Sequence, residues 1–134
     1  MKCSRLVWIA LPLALVALSG CVWPFESDDY QDRLAGIWEV TMPDTVDVGS
    51  TFDVAMMSSG ANGCWKKGRD VVVRSGALQA TITPYDQEYI GDGLCTADVP
   101  TFTHVVSLNA TARGAFEVNV KSAGGVIERM VTVR

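Results

Sequence analysis

Thr51-Phe52-Asp53-Val54-Ala55-Met56-Met57 (TFDVAMM) is the stretch whose reading decides the fold. Phe52, Val54 and Met56 alternate with Thr51, Asp53 and Ala55. Successive side chains of an extended strand point to opposite faces, so a period of two sets one apolar face against a core. The other face stays in water, which is the mark of a half-buried antiparallel strand. A helix would need apolar residues three and four apart, and no segment of ten or more residues shows that spacing.

The same pattern spreads outward in both directions. Upstream, Ile37 to Met42 (IWEVTM) puts Trp38, Val40 and Met42 on one face; Pro43-Asp44 interrupts, Thr45 to Val48 resumes, and Gly49-Ser50 turns the chain. Downstream, Ser58 to Gly63 (SSGANG) reads as a flexible loop leading into Cys64-Trp65, and Arg69 to Arg74 as a β-branched strand around Val71, Val72 and Val73. Ser75-Gly76 is expected to form a hairpin turn, glycine supplying a positive φ. Ala77 to Thr83 returns with Leu78, Ala80 and Ile82 inward, and Pro84 to Pro100 reads as a long polar loop containing Cys95. Phe102 to Leu108, Ala115 to Val120 and Val126 to Val133 complete the series, the last after a turn over Ser122 to Gly125. The expectation is an all-β domain over residues 36–134, an antiparallel sandwich of about 7–8 strands.

Two stretches carry a resemblance to bacterial immunoglobulin-like domains. Pro43 to Val54 (PDTVDVGSTFDV) looks like their first strand, turn and second strand; Gly114 to Val120 (GAFEVNV) with Ile127 to Val133 looks like their closing hairpin. Size and strand spacing fit such a sandwich. The cysteines depart from the antibody pattern, because Trp65 adjoins Cys64 instead of lying well between two cysteines. A bridge from a loop or strand end to the Pro84–Pro100 loop is therefore expected, not an inter-sheet one. Gly36-Ile37-Trp38 is similar to the G-x-W of lipocalins, which makes a small lipocalin-like β-barrel the alternative fold.

The amino terminus has the layout of an export signal. Lys2 and Arg5 precede an uncharged run from Leu6 to Leu18 broken by Pro12. A spanning helix needs about 20 apolar residues, so this run is too short for one. Leu18-Ser19-Gly20-Cys21 resembles the lipobox of bacterial lipoprotein precursors, in which a branched residue and two small ones precede the lipidated cysteine. The resemblance implies a signal peptide over 1–20 and a diacylglycerol on Cys21, the first mature residue. Burying acyl chains is worth about 0.8 kcal/mol per CH₂, so more than one chain makes a lasting anchor. Val22 in place of aspartate favours the outer membrane in a Gram-negative cell. Residues 21–35 form the lipidated N-terminus and an acidic tether, with Trp23 and Phe25 positioned for the headgroup layer.

Loss of residues 1–20 removes Lys2 and Arg5 from the 11 basic residues and none of the 15 acids, so the mature chain carries a net charge of about −6. That balance argues against nucleic acid as a partner. Of the four cysteines, Cys3 leaves with the signal and Cys21 is taken by lipid. Cys64 and Cys95 remain, an even pair in an exported chain, and are expected to form a disulfide.

Few residues suggest chemistry. His104, the one histidine, shares a face with Phe102, Val106 and Leu108 and reads as a satisfied core or edge residue. No local motif supplies the acid and nucleophile that catalysis there would need. Asp86, Glu88 and Asp92 do not have the spacing of an EF-hand loop, and neither a metal nor a cofactor is expected. With Tyr85 and Tyr89, these acids mark the candidate partner-binding surface, since aromatics on loops are typical of interfaces. Met56 and Met57, adjacent on a strand, point to opposite faces and read as packing, not a copper site.

The functional expectation is a membrane-anchored cell-envelope lipoprotein that is not an enzyme. It has a binding or structural role and contacts an envelope protein or glycan through loops 58–63 and 84–100. The alternative is a small inhibitor of an envelope-directed hydrolase, a lysozyme or a protease.

Overall fold

The computed structural model describes residues 29–134. The expected signal peptide over 1–20, Cys21 and residues 22–28 of the expected tether lie outside the described residues. The described chain is all-β, with nine strands in two sheets. In order these are β1 (Tyr30–Leu34), β2 (Glu39–Thr41), β3 (Thr45–Val46), β4 (Thr51–Ser59), β5 (Lys66–Gly76), β6 (Gln79–Tyr89), β7 (Thr101–Asn109), β8 (Gly114–Ser122) and β9 (Gly125–Val133).

The smaller sheet has the order β2-β4-β7 and is antiparallel throughout. The larger is mixed. β6 pairs antiparallel with β5 along one edge; its other edge takes β8, parallel, near its start and β1, antiparallel, near its end. β8 continues to β9, and β9 to β3 in a second parallel ladder. Parallel neighbours need a crossover. Here the crossover between β6 and β8 is β7, which lies in the opposite sheet.

The two inner faces pack by alternation. Phe52, Val54 and Met56 of β4 and Val106 and Leu108 of β7 meet Ala80 and Ile82 of β6 and Phe116, Val118 and Val120 of β8. Phe52 and Phe116 make an edge-to-face pair across the sandwich, their centroids 5.5 Å apart. Burial of a side chain of that size contributes about 1.5–3 kcal/mol.

Several boundaries differ from the sequence expectation, four of them near the ends of β1, β4, β5 and β6. The sheet begins ahead of Gly36, because Tyr30–Leu34 pairs with Tyr85–Tyr89 from within the segment read as tether. Pro84 does not end its strand. β6 runs on to Tyr89, and the ladder to β5 shifts register between Lys67 and Asp70, opposite the proline that cannot donate to it. Gly68 sits in that irregularity, where a Cβ would collide with the Tyr85 carbonyl. The β5–β6 turn falls on Ala77-Leu78, two residues after Ser75-Gly76, and Gly76 is not among the positive-φ glycines. Finally, Ser58 and Ser59 belong to β4, so the loop before Cys64 starts at Gly60.

Candidate functional site

Two features stand out: a polar cluster enclosed between the sheets, and a cross-linked loop pair at one end of the sandwich.

The cluster centres on His104. The alternation of β7 that turns Val106 and Leu108 inward also turns His104 inward, and the ring is fully buried. Its Nδ1 lies 2.7 Å from Asp70 Oδ1 on β5, and its Nε2 3.0 Å from Asp86 Oδ1 on β6. Ser58 Oγ of β4, also fully buried, is 3.3 Å from Nε2. Four strands, two from each sheet, thus converge on one ring. Ionised carboxylates only accept hydrogen bonds, and a neutral imidazole has one N–H to give. A ring that gives its Nδ1 proton to Asp70 can accept at Nε2 from the Ser58 hydroxyl, so that both ring nitrogens have partners. Asp86 Oδ2 is buried and makes no hydrogen bond among the described residues.

Serine, histidine and aspartate are the residue types of an acyl-transfer triad. Here Ser58 and His104 are enclosed, so a substrate carbonyl has no approach to Ser58 Oγ in this conformation. What the arrangement does is join the sheets. Ser58, Asp70 and Asp86 escaped the sequence reading as partners of His104, although the alternation of β4 through Met56 carries on to Ser58. The alternation of β6 through Ile82 likewise carries on to Asp86.

The second feature is the disulfide. Cys64 and Cys95 are bonded, their Cα atoms 5.3 Å apart, and the bridge ties loop 60–65 to loop 90–100 as expected. Backbone bonds reinforce it: Gly63 N donates to Thr96 O and Gly60 N to Pro100 O, each at 3.0 Å. At this end the chain also enters the sheet, with Ile90 N donating to Asp29 O at 2.7 Å.

The residues expected to form one partner-binding loop are distributed differently. Tyr85, Asp86, Glu88 and Tyr89 lie on strand β6, and only Asp92 lies on the loop. Asp86 is turned into the core and is 1% exposed, so it is absent from the surface. Glu88 pairs with Arg33 at 2.6 Å. Arg69 lies 5.4 Å from the Tyr85 ring centroid. The Tyr89 hydroxyl accepts from Gly93 N at 3.1 Å, and its ring packs on Tyr30. Among the described residues no group of three or more His, Cys, Asp or Glu is arranged to hold a metal ion.

The outer face of the larger sheet carries a shallow groove of about 290 Å³ lined by Thr81, Asn119, Lys121, Val126 and Glu128. Beside it, Asn119 and Gln79 donate to Glu117 at 2.5 and 3.1 Å. These bonds, Asn119 first, hold the Glu117 carboxyl below its ordinary range.

Compared with known proteins, the chain matches no family model, no curated protein and no solved structure.

Proposed function

We propose that this chain is a lipid-anchored protein of the cell envelope with a binding role, exercised at the disulfide-linked end of its sandwich. The observation that supports the reading is the position of Asp29. Its carbonyl is bonded to Ile90 at the start of the 90–100 loop, and Cys21 precedes it by eight residues. The chain that leads from Cys21 thus joins the described domain beside the linked loops. The loops are also fit for contact: a bridge and two backbone bonds hold them, which reduces the ordering entropy a binding surface must give up.

The test is direct. Intact-mass analysis of the protein extracted from envelopes should find acyl chains on Cys21, and Cys21→Ser should move the protein from the membrane to the soluble fraction. An unmodified Cys21, or a serine variant that stays with the membrane, would overturn the reading.

A further inference from the structure

We infer that the disulfide-linked end docks on the lipid bilayer itself, with Leu94, and Ile90 and Val99 beside it, entering the boundary between headgroups and acyl chains. The inference rests on the lipid anchor proposed above and names the partner of that same end.

The first support is the apolar surface. Leu94 is fully exposed, and Ile90 and Val99 are 54% and 65% exposed, although all three lie on one loop of a domain with a well-formed core. Cys95 adjoins Leu94 and is bonded to Cys64, so the backbone beside Leu94 is tied to the 60–65 loop. Leu94 O also faces Cys64 Sγ, at 3.8 Å.

The second support is the reach of the chain. Eight residues separate Cys21 from Asp29, and their extended length is at most about 29 Å. β6 runs from the opposite end of the sandwich to this one over 11 residues, about 33 Å of strand. With Cys21 held in the membrane, contact by the opposite end of the domain would need the tether almost fully extended. The end carrying Leu94 has no such restriction and lies beside the point where the tether enters.

Charge says which bilayer suits it. Asp92 and Asp98 flank the apolar residues on the loop, and Asp29 begins the sheet beside it. Lys66, at the start of β5, is seated over the Tyr30 ring at 3.6 Å. A zwitterionic surface accommodates this set, whereas anionic headgroups repel it. The tyrosines Tyr30 and Tyr89 stack at the same end and have the amphipathic character favoured at that depth.

The experiment places a photoreactive benzophenone amino acid at position 94 and, separately, at position 48 of the acylated full protein. Val48, 40% exposed, lies at the opposite end, its N–H bonded to the Arg134 carbonyl. Each protein is illuminated in phosphatidylcholine vesicles and in intact envelopes, with acylation of Cys21 checked by mass on the same samples. Lipid adducts at position 94 and their loss at position 48 are expected. They should weaken when phosphatidylglycerol replaces part of the phosphatidylcholine. Acylated protein that gives no lipid adduct at 94, or that crosslinks there to an envelope protein or glycan instead, overturns the inference and leaves the anchor standing. Unacylated Cys21 overturns the anchor itself.

Discussion

His104 and Asp86 meet between the two sheets, Nε2 to Oδ1 at 3.0 Å, with the histidine 0% and the aspartate 1% exposed. A pair so enclosed is stabilising only while both members are present. Removing His104 leaves the Asp86 carboxyl buried without a partner, which costs about 3–5 kcal/mol, whereas removing Asp86 leaves His104 bonded to Asp70 and costs less. His104→Leu should lower the unfolding free energy by that order, and Asp86→Leu by less. The double variant should cost less than the sum of the two, because it removes the orphaned group along with its partner. Asp70, whose side chain is 17% exposed, can turn to water in the double variant. Additive losses in urea titrations would show that the pair is not coupled.

The same cluster shows where sequence patterning is informative and where it is not. Phe52, Val54 and Met56 on β4 and Phe116, Val118 and Val120 on β8 announce their strands, since one face is buried and the other wet. Tyr30–Leu34 (YQDRL) gives no such signal. It is mostly exposed and holds its place through backbone pairing and the Arg33–Glu88 and Arg69–Asp32 ion pairs. The second half of β6 is hidden by Pro84 and by carboxylates that look like loop chemistry, although one of them, Asp86, is core. His104 was legible as a buried residue. Its partners were not, because three other strands supply them and only the packing of two sheets brings them together.

The Cys64–Cys95 bridge closes a separation of 31 residues. In the chain-entropy model, such a cross-link stabilises by about 3–4 kcal/mol. Reduction should lower stability by that amount. Hydrogen exchange should accelerate first at Gly60 and Gly63, whose N–H groups bond across the linked loops. If exchange at those amides is unchanged in the reduced protein, backbone pairing alone holds the end together.

Glu117 provides a titration with a definite sign. Asn119 and, less strongly, Gln79 donate to its carboxylate and favour the ionised form, so its folded pKa lies below its unfolded one. Its contribution to stability is therefore present above the unfolded pKa and lost as pH falls through the folded value. In a carbon-detected NMR titration, Asn119→Ala should raise the Glu117 midpoint, and Gln79→Ala should raise it less. A midpoint that does not move in Asn119→Ala would show that the hydrogen bond is not made in solution.

Tyr30–Leu34 predicts where a soluble form of the domain must begin. A chain started at Gly36 loses β1, the Arg33–Glu88 and Asp32–Arg69 pairs, and Ala35, which is buried and bonded to both Pro84 O and Ala123 N. Exposed ion pairs are worth about 0–1 kcal/mol each, and each backbone bond about 0.5–1.5 kcal/mol. The larger cost is an open edge. Tyr85 to Tyr89 of β6 would present unpaired N–H and C=O groups, which template association with another chain. A chain started at Asp29 should unfold reversibly. One started at Gly36 should be less stable by about 1–5 kcal/mol from the two ion pairs and the two Ala35 bonds alone, and should scatter light at concentrations where the longer chain is monomeric. Equal stability and equal monodispersity for the two would mean that β1 contributes nothing to the fold and that Gly36 is its true start.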